Sequence, residues 1–268
     1  MFASIPSPSR GVIEIGPLEL HAYGLMLALG VLAAAAVAER RWVKMGGEPK
    51  TVAEIGVPVV IGGVLGARIY HLFTGYKWDD GGFGGALKIW EGGLSIWGAV
   101  LGGFIAVVFM SRRKNIDWVR MCDAIAPGLA IAQAIGRLGN WFNQELFGRP
   151  TDLPWGLEID PDKRPLKYLD EETFHPTFLY EALWCLLVAG TIVFAERRFH
   201  LKRGQSVSLY IAMYTFGRIF FEALRADPAS ELFGIRFNLL LSVVLCVAGV
   251  VMFVMFGRRG RVKVSEVS

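Results

Sequence analysis

The chain has 268 residues, 53% hydrophobic and 19% charged, with 28 Lys and Arg against 24 Asp and Glu, for a formal charge of +4. Apolar content above, and charge below, the usual range of soluble globular chains argues against a water-soluble protein and makes a lipid bilayer the expected solvent. Cys122, Cys185 and Cys246 all fall inside apolar runs without metal-ligand spacing, which argues against a disulfide frame and a zinc site.

The first 24 residues lack the basic region, apolar region and small-residue cleavage site of a signal peptide, so the first span is expected to be retained. Crossing a bilayer core takes about 20 apolar residues, and seven such runs follow in order: Leu20–Ala38, Val52–Phe73, Leu94–Met110, Met121–Ile135, Phe178–Ala195, Val207–Phe221 and Phe237–Phe256. The expected fold is therefore an all-α polytopic membrane protein of about seven transmembrane helices, one integral membrane domain over residues 1–268. Between spans four and five, residues 136–177 are rich in Pro, Asp and Gly, which predicts turns and short strands in a small external cap.

Basic clusters follow the odd-numbered spans: Arg40, Arg41, Lys44 and Lys50; Arg112, Arg113, Lys114 and Arg120; Arg197, Arg198, Lys202 and Arg203; and Arg258, Arg259, Arg261 and Lys263. The positive-inside bias then puts the N-terminus outside and the C-terminus in the cytoplasm. This distribution explains the net charge by topology, and no nucleic-acid partner is expected.

An ionisable residue inside a span costs roughly 2.5–3.5 kcal/mol on insertion scales, so each one needs a partner or a task. With this orientation and a rise of 1.5 Å per residue, Tyr23, Arg68, Trp97, Arg137, Glu181 and Arg218 all fall in the outer leaflet. Tyr214, Arg218, Glu222 and Arg225 recur at helical spacing, predicting one polar stripe on span six that is either an ion-pair ladder or a ligand site. Span four runs into GRLGNWFNQELFGR, where Arg137, Asn140, Glu145 and Arg149 are interleaved with Gly136, Gly139 and Gly148. Arginine forks suit phosphate and glycine admits close backbone approach, so this segment points to an anionic headgroup site at the interface. Trp141, Phe142 and Phe147 read as an aromatic belt.

The run Gly136–Arg149 resembles the signature of the prolipoprotein diacylglyceryl transferases, G-R-x-G-N-aromatic-x-N-x-E-x-x-G, at every fixed position. AYGLM, GARIY, GGLSIWG, HPTFLYE and YTFGRIFFEALR follow the same family's order. The resemblance implies a bacterial inner-membrane enzyme that moves the diacylglyceryl group of phosphatidylglycerol to the lipobox cysteine of a prolipoprotein and releases glycerol phosphate. It implies no cofactor or metal. Its motifs place Arg137, Arg218, Glu145, Asn140 and Tyr23 as candidate catalytic residues. Glu222, Arg225, Gly148, Tyr214, Arg68, Glu181 and His175, with Arg137 and Arg218, become candidates for substrate binding. His175, just before Pro176, also reads as a helix cap. Trp97 stands where many family members carry a histidine, so an imidazole there cannot take the thiol proton. Glu145 and Glu222 are the remaining carboxylate candidates. The competing expectation is a transporter of phospholipids or lipid-linked phosphates, in which the same arginines bind a headgroup and no bond breaks.

Overall fold

The computed structural model describes residues 4–8, 10–15, 18–76, 78–88, 92–93, 95–227, 231–232 and 234–259. Leu94, Arg261 and Lys263 of the sequence reading lie outside them. Eight described helices run in order: α1 Ala22–Lys44, α2 Thr51–Thr74, α3 Trp78–Leu87, α4 Ile96–Arg113, α5 Trp118–Asn143, α6 Thr177–Phe199, α7 Gln205–Leu224 and α8 Phe237–Arg259. The protein is a polytopic helical membrane protein, as expected. Six helices, α1, α2, α4, α6, α7 and α8, are long and apolar enough to cross a membrane. The remaining expected span, the fourth, is α5, which at 26 residues has ample length but carries Arg120, Asp123 and Arg137.

Helix ends differ from the apolar runs, because hydropathy marks the hydrocarbon slab while the backbone ladder continues into flanking polar residues. Thus α1 reaches Lys44 and α5 reaches Asn143. Gly136–Asn143 are accordingly helical, and the irregular segment begins at Gln144. The expected short strands are there: β3 Leu157–Glu158 pairs antiparallel with β4 Thr173–Phe174, over a small core of Phe147, Leu157, Ile159, Phe174 and Phe178. Two short hairpins were not expected. One pairs β1 Val12–Ile15 with β2 Leu18–His21, and the other pairs β5 Glu231–Leu232 with β6 Ile235–Arg236. Helix α3 was also missed, since its glycines disfavour helix.

The chain divides into two compact units, residues 1–37 with 125–268 and residues 38–124. In the first, small residues let helices approach closely. Gly30 and Gly128 of α1 and α5 each lie where an added Cβ would meet the partner's backbone, Ala132 O at 3.0 Å and Ala34 O at 2.7 Å. Between α6 and α7, the Trp184 indole lies over Gly217, where a Cβ would stand 2.3 Å from Nε1. The indole N–H there donates to Met213 O at 2.9 Å. Large side chains such as Leu183 and Phe220 face outward, as lipid-facing residues do.

In the second unit, α2 and α4 touch backbone to backbone. A Cβ on Gly66 would lie 2.4 Å from Gly98 O, and one on Gly102 would lie 2.2 Å from Gly62 O. This is the small-xxx-small packing of membrane helices, where no hydrophobic effect draws helices together. Pro127 in α5 removes the N–H that would have bonded Asp123 O. Arg41 fills the gap from α1, donating to Asp123 O and Ala124 O, both at 3.0 Å.

Candidate functional site: an arginine–carboxylate cluster

The first unit gathers most of the candidate residues at the C-terminal ends of α5 and α7 and the N-terminal end of α6. Arg137 leaves α5 six residues before its end, and Glu181 leaves the second turn of α6. Arg137 Nη2 lies 2.6 Å from Glu181 Oε2. Arg218 of α7 approaches the same oxygen, with Nη1 at 3.4 Å, while its Nη2 lies 2.7 Å from Glu222 Oε2. Glu181 is therefore one carboxylate shared by two guanidiniums. It is buried, whereas each arginine side chain keeps 16% of its surface accessible.

Glu222, 1% exposed, is saturated. Beyond Arg218, its Oε2 lies 3.7 Å from Arg225 Nη1, and its Oε1 lies 3.3 Å from Arg236 Nη1 and 3.5 Å from Asn238 Nδ2. Arg225 does not lie on the expected stripe. Helix α7 ends at Leu224 and Arg225 is extended at φ −68° and ψ 141°. The turn directs Arg225 onto Asp227, with Nε–Oδ1 2.6 Å and Nη2–Oδ2 2.8 Å. Arg236, which also donates to Asp227 O, joins the network without having been singled out from sequence. Its only sequence signal was a charge immediately before the last apolar run. The guanidiniums of Arg218, Arg225 and Arg236 thus share the carboxylates of Glu222 and Asp227, and those of Arg137 and Arg218 share Glu181.

A second arm runs from Arg137 toward the end of α5. Arg137 Nη1 donates to Asn140 Oδ1 at 3.4 Å, and Asn140 Nδ2 donates to Glu145 Oε1 at 2.9 Å. Asn143 Nδ2 donates to the same oxygen at 3.2 Å. The Glu145 side chain is exposed, with Oε1 engaged by both amides. Its backbone is held between two left-handed residues, Gln144 at φ 52° and Leu146 at φ 57°. Such conformations are costly and survive only where surroundings impose them. Here Gln144 Nε2 donates to Asp160 Oδ2 at 2.7 Å and to Pro8 O at 3.1 Å, and Thr177 Oγ1 donates to Leu146 O.

Tyr23 of α1 lies within electrostatic reach of both Glu145 and Arg137. Its ring covers Gly139, where a Cβ would stand 2.5 Å from Cδ2. Gly148 N donates to His175 O at 2.9 Å, and a Cβ there would lie 2.6 Å from His175 Cβ. His175 Nδ1 lies 3.3 Å from the Tyr180 hydroxyl, which accepts from Trp155 Nε1 at 2.9 Å. Burial lowers the imidazole pKa below its ordinary value, favouring the neutral form. Tyr214 stacks on Tyr210, with centroids 5.7 Å apart, and lines a narrow recess with Glu181, Trp184, Cys185 and Arg218.

Two predicted residues belong to the second unit. Arg68 is buried, and its guanidinium donates to Gly85 O at 2.7 Å, Ala86 O at 2.9 Å, Gly92 O at 2.8 Å and Gly93 O at 3.2 Å. Two of these carbonyls end α3, so Arg68 caps the helix that glycine content made unexpected. Trp97, half-buried, lies in the first turn of α4.

Apolar helices of membrane-crossing length, with an arginine-rich ionic cluster at helix ends, define a polytopic membrane protein with a polar site suited to an anionic group. The family model described as prolipoprotein diacylglyceryl transferase matches residues 10–255. A phosphatidylglycerol–prolipoprotein diacylglyceryl transferase of Frankia alni is 47% identical over 94% of this chain and 67% of its own length. Proteins of the same name from Streptomyces griseus and Cutibacterium acnes are 46% and 45% identical, over 98% and 96% of this chain and 82% and 88% of their own lengths. The chain belongs to the prolipoprotein diacylglyceryl transferase family.

Proposed function

We propose that this protein transfers the diacylglyceryl group of phosphatidylglycerol to the lipobox cysteine of a prolipoprotein, with Arg137 and Arg218 as the phosphate clamp. The observation that carries this reading is the convergence of both guanidiniums on a single oxygen of Glu181. Two forked donors already aimed at one oxyanion suit the phosphate of a phosphodiester. A lipid phosphate takes the place of Glu181 Oε2 between the two guanidiniums.

In the reaction the thiolate sulfur attacks the glyceryl carbon that bears the phosphodiester oxygen. The new C–S bond forms as the C–O bond breaks, and the electron pair leaves with glycerol phosphate. Fixed positive charge stabilises that leaving oxygen without reorganisation. The thiol proton needs an acceptor. Trp97 offers only an indole donor. Glu222 has both carboxylate oxygens engaged by three arginines and an asparagine, which leaves neither turned toward a thiol. We assign that role to Glu145, oriented through Oε1 by Asn140 and Asn143. Tyr23, Gly148, Tyr214 and His175 shape the surrounding pocket, and Arg225 holds Glu222. Arg68 serves by ordering the segment that leads into α4.

The positive-inside bias supports placing the N-terminus and the residue 136–177 cap outside a bacterial cytoplasmic membrane, the C-terminus in the cytoplasm, and the cluster in the outer leaflet. No observation favours transport without bond cleavage. The test is reconstituted protein with phosphatidylglycerol and a lipobox peptide. Glycerol phosphate release that requires the peptide thiol supports transfer. Lipid movement across the bilayer, with no release, would refute it.

A further inference from the structure

The site above lies at one end of α6. Roughly 27 Å away along that helix, at 1.5 Å per residue, the end of α6, the start of α7 and the end of α8 line a separate open cleft of about 300 Å³. His200, Lys202 and Arg258 line it with cationic or titratable side chains, Gln205 forms part of its floor, and Phe199 and Val254 form apolar wall. All belong to the first compact unit.

The floor is built by hydrogen bonds that join the α6–α7 connection, α7 and α8. Lys202 N donates to Gln205 Oε1 at 2.8 Å, and the buried Gln205 Nε2 donates to Phe253 O at 3.2 Å. Lys202 Nζ donates to Gly257 O at 2.8 Å. Left-handed residues His200, at φ 50°, and Gly204, at φ 85°, make the tight connection that brings these groups together. A lysine serving topology alone extends its ammonium into water. Here the ammonium is tied back to α8, at a fixed place on the cleft wall, with two donors remaining.

The walls distinguish a lipid from a free anion. Phe199 is 64% exposed and Val254 43% exposed, so hydrocarbon surface faces outward beside the cationic groups. A ligand with an anionic head and acyl chains satisfies both surfaces, whereas inorganic phosphate uses only one. Basic pockets between membrane helices are a known form of headgroup recognition. We propose that this cleft binds the phosphate headgroup of an anionic phospholipid in the leaflet opposite the arginine–carboxylate site. It is a structural lipid site, independent of the transfer reaction.

The experiment is thermal unfolding of the purified full chain in non-ionic detergent, titrated with dioleoyl phosphatidic acid, dioleoyl phosphatidylcholine or inorganic phosphate. Phosphatidic acid should raise the Tm saturably and phosphatidylcholine should not. In Lys202→Gln with Arg258→Gln, the half-saturating concentration should rise roughly thirtyfold, from about one juxtamembrane charge contribution per residue. Arg218→Gln, which weakens the clamp at the other end of α6, should still show a saturable shift with phosphatidic acid. Should the double variant fold poorly, Arg258→Gln alone removes one exposed charge and should weaken binding roughly fivefold. An unchanged titration in the folded variants, a shift lost only in Arg218→Gln, or an equal shift with inorganic phosphate would each overturn the proposal.

Discussion

Glu145→Gln separates proton removal from lipid binding. The amide keeps an oxygen for the hydrogen bonds now made at 2.9 Å by Asn140 and 3.2 Å by Asn143, so the side chain stays in place. It loses only the ability to take a proton. A positioned general base contributes roughly 10²–10⁴-fold, so kcat at pH 7 should fall by that amount with little change in KM for phosphatidylglycerol. A free thiol with pKa about 8.5 is only about 3% thiolate at pH 7 and half thiolate at pH 8.5, so the variant should recover roughly fifteenfold over that range. The wild type should gain far less. Initial rates of transfer from radiolabelled phosphatidylglycerol to a lipobox peptide, across pH 6.5–9, measure both quantities. A variant within threefold of wild type at pH 7, or a gap that does not narrow with pH, would remove Glu145 as the proton acceptor.

Three further substitutions test the surrounding framework. Glu222→Gln leaves Arg218, Arg225 and Arg236 without their common counter-charge, and breaking a buried pair in this way costs about 3–5 kcal/mol. A thermal midpoint equal to wild type would show that the cluster does not need this carboxylate. Gly139→Ala puts a methyl 2.5 Å from the Tyr23 ring. Overpacking of this kind costs about 1–3 kcal/mol, and because Tyr23 must move, activity should fall by more than the change in folded fraction. Arg41→Met withdraws the donor from Asp123 O, which Pro127 leaves without an intrahelical N–H, for about 1–3 kcal/mol by the cost of an unpaired buried acceptor. Adding Pro127→Ala, which restores the intrahelical N–H, should recover part of that loss, and strictly additive midpoints would deny the coupling.

The spans and the site were legible in the sequence to different depths. Each of the seven apolar runs became a helix, because hydrocarbon thickness sets their length. Their ends were not legible, as α5 shows by continuing eight residues past Ile135. Arg137, Asn140, Glu145, Glu181, Arg218 and Glu222 could be picked out because polar groups are costly at such positions, and the structure joins them through direct contacts. Arg225 was assigned to the helical stripe by spacing alone, which cannot show that α7 stops one residue earlier. Asp227 and Arg236 were missed because they flank a connecting segment, where charge is ordinary and carries no signal of burial, and Asn238 because an uncharged residue in the first turn of α8 draws no notice. Arg68 shows the converse. Its position in an apolar run marked it as costly, and the structure spends its donors on four carbonyls near α3. Burial cost identifies residues that need partners, but only the structure says which partners they have.

The phosphate clamp is tested most directly by an experimental structure with phosphatidylglycerol bound. The account predicts phosphate oxygens at hydrogen-bond distance, about 2.7–2.9 Å, from both Arg137 and Arg218, with Glu181 withdrawn from the shared position it now holds at 2.6 Å and 3.4 Å. A lipid phosphate bound away from both arginines, with those two ion pairs intact, would contradict it.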